Sequence, residues 1–484
     1  MIRPLLVLRL LTMPCLWMGL VQLVFGELSF MFFKDHVASN FTLPASITLG
    51  VSLIILIGFK KYPLPSVTNR EAMLFATLTW VAVGMLGAIP IVTIAHVSFT
   101  DGVFESISGL TTTGATILSG LDSMPKTFLM YRQFLQWMGG LGVVIFVVAI
   151  LPMLNIGGMR LLKAETPGPI KDDKLSPRVA NTTHYLWLVY VTITALCALC
   201  YYLAGMSVFD AIGHSFSTVS TGGFSTHDAS MGYFHSNLIL WICNVFMVLG
   251  ATNFALHYRV YLAHSIKLYW KDEEMRSFLI IILVISVILS LYLYHNGNEH
   301  SFWQSLTDSF FHIISFITST GFAATDLSKW PIVTAVLLIF VGYIGGCAGS
   351  TAGGNKVIRN IIALKSVGLE IKRLVHPNGV FTMKFQRRTI SGEVRHAVMA
   401  FMCLAALTTI IFTILLMFTG LSFMAALSAT AACLNVLGPG FAELGNNFAP
   451  LSDVATWLMS AAMILGRLEY FTVLVLFFPV LWRQ

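Results

Sequence analysis

Long apolar stretches recur along the whole chain, and they restrict its possible folds more than any other feature. Of the 484 residues, 56% are hydrophobic and only 11% are charged. Ten stretches are about long enough to cross a bilayer as helices, at about 11–32, 43–59, 72–95, 134–155, 183–204, 237–258, 277–295, 331–355, 397–419 and 452–481. The sequence lacks the short alternating segments of a membrane β-barrel. It therefore predicts an all-α membrane protein.

The basic residues predict the orientation of these spans. Ten crossings place both termini on one side, and 24 of the 29 Lys and Arg residues then lie on that side. The exceptions are four residues on the opposite side, Lys34, Lys126, Arg132 and Lys329, and one residue within a span, Arg467. Because basic loops remain in the cytoplasm, we expect both termini to be cytoplasmic.

The predicted outer side is acidic. It carries Asp101, Glu105, Asp122, Asp210, Asp228, Glu299, Asp308, Asp326, Glu443 and Asp453. A negatively charged mouth concentrates cations by electrostatic steering, although ordinary loop solubility explains such residues equally well.

A glycine-rich segment follows a short apolar segment four times along the chain. The copies read TTTGAT at 111–116, STGGF at 220–224, STGFA at 319–323 and NVLGPG at 435–440. Aligning them on Gly114, Gly222, Gly321 and Gly438 gives a module of about 100 residues: a span, a short re-entrant helix, the glycine loop and a second span. The predicted organisation is a two-helix N-terminal extension at 1–70 and four pore repeats at 71–165, 166–265, 266–375 and 376–484.

Four such modules around one axis would form a central pore. Each short helix would point its C-terminus, the negative end of its dipole, toward the axis. Glycine permits the backbone angles that turn carbonyl oxygens inward, and rings of carbonyl oxygens replace the hydration shell of the ion in potassium pores. We therefore interpret STVSTGGFST at 217–226 as one quarter of a selectivity filter.

A second glycine-rich stretch, GYIGGCAGSTAGG at 342–354, interrupts the eighth span with six glycines in thirteen residues. Each interior glycine costs a helix about 1 kcal/mol relative to alanine. The second helix of the third repeat is therefore predicted to break here and to form a gate below the filter. The alternative is close helix packing through glycine.

Arg467 is predicted to lie at the depth of this break. An arginine within the bilayer is costly and usually faces a functional cavity. We expect it to raise the barrier for cations or to donate hydrogen bonds to carbonyls of the broken segment, with simple pairing to Glu469 as the alternative. The predicted gate comprises Gly345, Gly346, Gly349, Ser350, Thr351, Gly353, Gly354 and Arg467.

These motifs together resemble the Trk/Ktr/HKT superfamily of potassium transporters, and within it the bacterial TrkH type. The resemblance is carried by the four glycine segments, by GGCAGSTAGG at 345–354 and by GRLE at 466–469. It implies a filter formed by Thr112, Thr113, Gly114, Ser220, Thr221, Gly222, Ser319, Thr320, Gly321, Val436, Leu437 and Gly438. Potassium ligands are expected at Thr112, Thr113, Thr221, Gly222, Thr320, Gly321, Leu437 and Gly438.

The resemblance also implies partners and a location. We expect a homodimer in the bacterial inner membrane, contacts with membrane lipids, and a cytosolic nucleotide-binding regulatory ring of the TrkA type. Potassium would be the transported ion, with no organic cofactor and no nucleic acid bound. The resemblance further implies that Gly114 favours potassium over sodium, and that Val436 and Leu437, which depart from the usual pattern of hydroxyl residues, make the filter asymmetric.

Two other classes of function compete with a potassium pore. A proton- or sodium-coupled symporter of cations or organic solutes would carry several ionisable residues within its spans, whereas Arg467 and Glu469 are the clear examples in this sequence. A membrane enzyme would need a cluster of catalytic residues, and the sequence suggests none. We therefore do not expect an enzyme.

Overall fold

Helices dominate the computed structural model, which describes residues 2–60, 67–140, 142, 179–296, 301–386 and 388–482. Within these ranges the strands are β1 (Lys384–Phe385) and β2 (Arg388–Thr389), which pair antiparallel. The second part of the fourth predicted span and the predicted repeat boundary at 165/166 lie outside the described residues.

Three long helices begin the chain. They are α1 (Pro4–Leu28), which continues as a π-helical turn over Ser29–Phe33, α2 (Ala38–Gly58) and α3 (Asn69–Ala95). Pro4 suits the first turn of α1, where its missing N–H is not needed. Thr68 and Glu71 form a capping box at the start of α3. Helix α1 packs against both α2 and α3.

From α3 onward, the helices fall into four groups along the chain. The first group contains α3, α4 (Phe99–Leu110) and α5 (Lys126–Gly140). The second contains α6 (Val179–Leu203), α7 (Val208–Val219), α8 (Asn237–Gly250), α9 (Phe254–Ala263) and α10 (Lys267–Lys271). The third contains α11 (Glu273–Asn296), α12 (Phe302–Ile317), α13 (Ile332–Ile344) and α14 (Val357–Val375). The fourth contains α15 (Gly392–Phe418), α16 (Phe423–Leu434), α17 (Asp453–Arg467), α18 (Phe471–Leu474) and α19 (Pro479–Trp482).

Short 3₁₀ turns lie in the connections of each group. They are Leu121–Ser123, Ser230–Phe234, Leu327–Lys329 and Ala442–Leu444, and one more, Val475–Phe477, follows α18.

The four groups contact one another in a closed cycle. Helix α5 of the first group packs against the short helix α7 of the second, and α8 packs against α12 of the third. Helix α13 then packs against α16 of the fourth group, and α17 returns to α4 of the first. The chain therefore surrounds one central axis with its four short helices.

These short helices cannot cross a bilayer. Helices α4, α7 and α16 have 12 residues each and α12 has 16, so the shorter ones extend about 18 Å against a hydrocarbon core of about 30 Å. Ser98, Ser207 and Ser422 cap the N-termini of α4, α7 and α16 with their side chains.

The long spans are less continuous than the hydropathy pattern predicts. Six described helices are long and apolar enough to cross a membrane, or up to eight if each bent pair counts as one span. The sixth predicted span bends by 95° between α8 and α9, and the tenth by 111° between α17 and the segment that begins with α18. Each of these two predicted spans therefore consists of two helices. Asn253 starts a new helix by accepting from Ala255 N and Leu256 N, and Glu469 and Tyr470 have positive φ at the second break.

Candidate functional site

Each of the four short helices ends in the same backbone turn. The second residue after each helix is left-handed although it is not glycine: φ is 59° at Thr112, 54° at Thr221, 54° at Ser319 and 56° at Val436. The next N–H then bonds back to the helix, over 2.9 Å from Thr113 to Ser108 O and over 2.8 Å from Gly222 to Ser217 O. The corresponding distances are 2.8 Å for Thr320 to Ser315 O and 2.7 Å for Leu437 to Ala432 O. This is the Schellman type of helix end.

The glycine that follows each turn identifies the register of the loops and corrects one predicted residue. Gly114 and Gly321 come two residues after the left-handed position and have φ of +80°, and Gly438 has +99°. In the second copy that position is occupied by Gly223, with φ of +80°, and not by Gly222. Gly222 takes the place that Thr113, Thr320 and Leu437 hold in the other copies. The alignment on Gly222 is wrong by one residue because STGGF contains adjacent glycines that only the turn geometry distinguishes.

Solvent exposure agrees with the corrected register. Gly114, Gly223 and Gly321 are partly exposed, whereas Gly222 is buried. The left-handed residues Thr112 and Thr221 are also buried, at 1% and 0% exposure. Gly438 of the fourth copy is buried, so the opening between the loops is reached at the glycines of the first three copies.

The four loops meet one another in a closed ring. A methyl group on Gly114 would collide with the carbonyl oxygen of Gly222, and one on Gly223 would collide with that of Thr320. The same holds for Gly321 against Leu437 O and for Gly438 against Thr113 O. Each glycine thus lies against a carbonyl oxygen of the next loop, from the first loop through the fourth and back to the first. A residue with a side chain would not fit at these four positions.

A buried ion pair supports the first loop. Arg132 Nε donates to Glu105 Oε1 over 2.9 Å, and the two side chains are 1% and 0% exposed. Glu105 also accepts from Ile117 N over 3.1 Å and from the Thr116 hydroxyl over 2.9 Å. The Arg132 guanidinium lies 4.1 Å from the centre of the Phe224 ring in the second loop. These charges do not lie at an exposed outer mouth as predicted, because the chain after Gly114 folds back over them.

The eighth predicted span breaks at the glycine-rich stretch, as expected. Helix α13 ends at Ile344 and α14 begins at Val357. Gly345, Gly349 and Gly354 adopt φ of 75°, 70° and 73° between them. Asn355 N donates to Tyr343 O over 3.0 Å, so the segment 345–356 leaves and rejoins the helix axis at nearly the same place. We call this segment the broken-helix loop.

The broken-helix loop contacts three of the four turns. Thr221 Oγ1 donates to Thr351 Oγ1 over 3.2 Å in the second copy, and Gly353 N donates to Ser319 Oγ in the third. In the fourth copy Gly354 N donates to Asn435 O over 3.1 Å. The loop therefore lies across the end of the ring at which the short helices terminate.

Arg467 completes this contact in the first copy. Its Nη1 donates to Thr112 Oγ1 over 3.2 Å and to Thr351 O over 2.9 Å. Its Nη2 donates to Gly139 O over 2.6 Å and Gly140 O over 2.9 Å, at the C-terminus of α5. Helix C-terminal carbonyls carry partial negative charge and suit a cation. Arg467 thus bonds to the broken-helix loop, one of the two roles expected for it.

The predicted gate residues divide into two sets. Thr351, Gly353 and Gly354 contact the turns of the ring. Ser350 donates within the loop to Cys347 O over 2.6 Å, and Gly349 O accepts from Phe254 N over 3.0 Å. A methyl group on Gly346 would lie 3.0 Å from Ala251 O, and one on Gly345 would meet Gly353 O of the same loop. Gly345 and Ser350 therefore make contacts within the loop, and Gly346 and Gly349 contact the break between α8 and α9.

Sequence reasoning missed several buried charges around the loop. Lys356 and Arg359, expected in a basic cytoplasmic segment, are 2% and 3% exposed. Arg359 Nη2 donates to Glu469 Oε2 over 2.6 Å, which gives Glu469 a partner other than Arg467. Glu274 is 5% exposed and accepts from the loop. The break itself is the signal that could have found Lys356 and Arg359, because residues that follow it re-enter the protein interior, whereas no such signal marks Glu274.

Comparison with known proteins identifies close relatives. The sequence profile of a family named TrkH, described as "Cation transport protein", matches residues 44–483. The chain is 46% identical over 418 residues to the Trk system potassium uptake protein TrkH of Salmonella typhimurium, which covers 86% of each chain. It is 41% identical over 454 residues to the TrkH of Halomonas elongata, covering 93% of this chain and 94% of the relative. The crystal structure of the potassium transporter TrkH from Vibrio parahaemolyticus superposes with a TM-score of 0.89, at 38% identity and 100% coverage of both chains.

Proposed function

Because the chain belongs to the TrkH family of cation transport proteins, we propose that it takes up potassium through a channel-like path along the axis of the four loops. The observation that carries this proposal is the closed ring, in which Thr113, Gly222, Thr320 and Leu437 each place a carbonyl oxygen against a glycine of the neighbouring loop. Such oxygens replace the hydration shell of a potassium ion. The C-termini of the four short helices add negative potential at the same place.

The ion ligands follow from the corrected register. The backbone of the four loops supplies them, at Thr112 to Gly114, Thr221 to Gly223, Ser319 to Gly321 and Val436 to Gly438. The earlier residue of each loop, Thr111, Ser220, Thr318 or Asn435, still belongs to the helix end. Gly223 therefore joins the predicted set, with Gly222 kept as the residue whose carbonyl faces the first loop.

We propose that the broken-helix loop and Arg467 form the gate. The hydrogen bonds from the loop and from Arg467 to the turns of the ring support this proposal, because the loop and the positive charge would then lie at the inner end of the path. A cation leaving the ring would meet both. Movement of the loop away from Thr221 and Ser319 would open the path.

We also propose the cellular setting that the resemblance implies. The chain would act as a homodimer in a bacterial inner membrane, with both termini in the cytoplasm, and a nucleotide-binding ring of the TrkA type would regulate it. Relatives named as parts of a Trk system support a partner of some kind.

The test is ion flux into liposomes that contain the purified protein, together with single-channel recording. We expect the wild type to pass potassium in preference to sodium and to show unitary currents, which a coupled symporter does not produce. Gly114→Ser should lower the potassium-to-sodium flux ratio severalfold, because a side chain there displaces the carbonyl of Gly222.

Gly120→Ser is the matched control. Gly120 is also left-handed, with φ of +75°, but it lies in the connection after the first loop, where the nearest atom to an added methyl group is 3.7 Å away. It should keep the wild-type ratio. An unchanged ratio in Gly114→Ser would remove Gly114 from the ion path.

A further inference from the structure

The residue before the left-handed glycine differs among the four loops, and so do the contacts of its side chain. In the first and third copies this residue is threonine, and its hydroxyl bonds to a second threonine: Thr113 to Thr111 over 2.7 Å and Thr320 to Thr318 over 2.8 Å. In the fourth copy it is Leu437, whose Cδ2 would lie 2.8 Å from a methyl group on Gly342. In the second copy it is Gly222, which has no side chain.

The side chain of Gln136 fills this place in the second copy. Gln136 lies on α5 and is fully buried, at 0% exposure. Its Nε2 donates to Gly222 O over 2.6 Å, and its Oε1 accepts from Phe224 N over 3.0 Å. One amide group therefore holds both peptide planes that flank Gly223.

Gln136 also explains why residue 222 is glycine. Gly222 is not among the residues with positive φ, so its backbone conformation would accept a side chain. The three atoms closest to a methyl group built there all belong to Gln136, and Oε1 would lie at 2.5 Å. Gly223, the second glycine of STGGF, is needed because its φ is left-handed. Gly222, the first, is needed because any side chain there would collide with Gln136.

We infer that Gln136 is a specificity-determining residue, supplied by a helix outside the loop, which sets the position and strength of the Gly222 carbonyl. The inference rests on the proposed function, because Gly222 O is one of the four ring oxygens. Selection among cations depends on the number and field strength of the coordinating carbonyls. A carbonyl that accepts a hydrogen bond from a side-chain amide is fixed in place and offers the ion one lone pair rather than two.

The experiment compares potassium, rubidium and sodium flux into liposomes for wild type and variants. Gln136→Met removes both hydrogen bonds at similar volume and should lower the potassium-to-sodium ratio by up to roughly tenfold, with amount of folded protein unchanged. Gln133→Met is the matched control. Gln133 is equally buried on α5 but bonds to Ser217 in α7, so its variant should keep the wild-type ratio.

A paired substitution tests the same point if Gln136→Met folds poorly. Gln136→Ala removes the obstacle, and adding Gly222→Thr restores the residue found in the first and third copies. The double variant should regain much of the selectivity that Gln136→Ala loses, whereas Gly222→Thr alone should lose flux through the clash with Gln136. If Gln136 only filled space, Gly222→Thr would not restore the ion preference that Gln136→Ala loses.

The outcomes separate this inference from the function on which it rests. A wild-type protein without potassium preference overturns the proposed function, and this inference with it. A selective wild type whose ratio survives Gln136→Met overturns the inference alone. So does a double variant no more selective than Gln136→Ala.

Discussion

Arg467 makes the clearest prediction for a single residue. Its four hydrogen bonds described above go to oxygens of uncharged groups, and Glu469 is engaged by Arg359. A fixed positive charge beside the ion path opposes a passing cation, by an amount that falls with distance and with the local dielectric constant. Arg467→Ala should therefore raise potassium flux severalfold and leave the potassium-to-sodium ratio nearly unchanged.

The comparison with Arg467→Lys and Glu469→Ala decides between a barrier and an anchor. Lysine keeps the charge but cannot reach all four acceptors with its single ammonium group, so its flux should lie between those of wild type and Arg467→Ala. Flux per folded protein molecule is the measurement. A common fall in flux and in folded protein for all three variants would show that Arg467 only stabilises the fold.

At the same scale, the sequence locates the loops but not every atom that forms them. Three of the four glycines follow from the alignment, and Gly223 does not, because residue order alone cannot tell which of two adjacent glycines is left-handed. Gln136 and Glu105 are invisible in the motif for a different reason. Both side chains bond to loop residues that are distant from them in the sequence, and a local motif does not show such contacts.

Among the elements, the broken-helix loop and the first turn of α14 are bound by one side chain. Glu274 Oε1, in the first turn of α11, accepts from Ala348 N over 2.8 Å and from Ile358 N over 3.1 Å. Helix α14 has no side-chain cap of its own at Lys356, so Glu274 supplies an acceptor to its N-terminus from another helix.

Loss of this acceptor should loosen the loop. Glu274→Ala leaves two N–H groups without it, at a cost of about 1–3 kcal/mol each, and should raise potassium flux per protein molecule. Deletion of residues 347–352 should raise it further by removing the obstruction. Glu274→Gln is the control, since its amide oxygen still accepts and flux should stay near wild type. Equal or lower flux in both Glu274→Ala and the deletion, at normal expression, would mean that the loop packs helices and does not obstruct the path.

The breaks in the other second helices show where hydropathy fails as a predictor of elements. A methyl group on Gly250 would lie 2.7 Å from Val219 O, and one on Gly466 would collide with Leu434 O. In both cases the long helix approaches the last carbonyl of a short helix and then ends. The glycine count reveals the break at 345–356, but a single glycine in an apolar run does not reveal the other two.

For the whole molecule, the charge pattern predicts a side of the membrane for each loop, but it does not predict which of the charged side chains are buried. Glu105 and Asp308 were expected at an acidic mouth, yet they are 0% and 1% exposed. The short helices carry both residues into the interior, where Glu105 accepts from the chain after the first loop and Asp308 accepts from Gln304 of its own helix. Asp122 and Asp228 remain in the predicted outer segments, and there they connect two of the four groups.

A histidine joins these outer segments and makes their attachment depend on pH. His227 Nδ1 bonds to Asp122 Oδ1, and its Nε2 lies 3.3 Å from Asp210 Oδ1. Its ring stacks on Tyr233 at 3.5 Å and lies 6.4 Å from His214. Burial opposes the charge on His227, but Asp210 and Asp122 outweigh it and raise its pKa. Burial likewise opposes ionisation of Asp122, but bonds from His227 and Asp228 lower its pKa, so it stays charged.

The sign of the pH effect follows from the raised pKa of His227. The folded state binds the proton more tightly than the unfolded state, whose histidine has its ordinary pKa of about 6.5. The added stability is therefore complete below about pH 6.5 and is lost as pH rises through the folded-state pKa. We expect His227→Gln to lower the Tm of the solubilised protein by roughly 1–3 °C at pH about 5.5, with a smaller difference at pH about 9. His235→Asn, on the same outer segment, should show no such trend, and a Tm difference for His227→Gln that grows with pH would reject the charged bridge between the first and second groups.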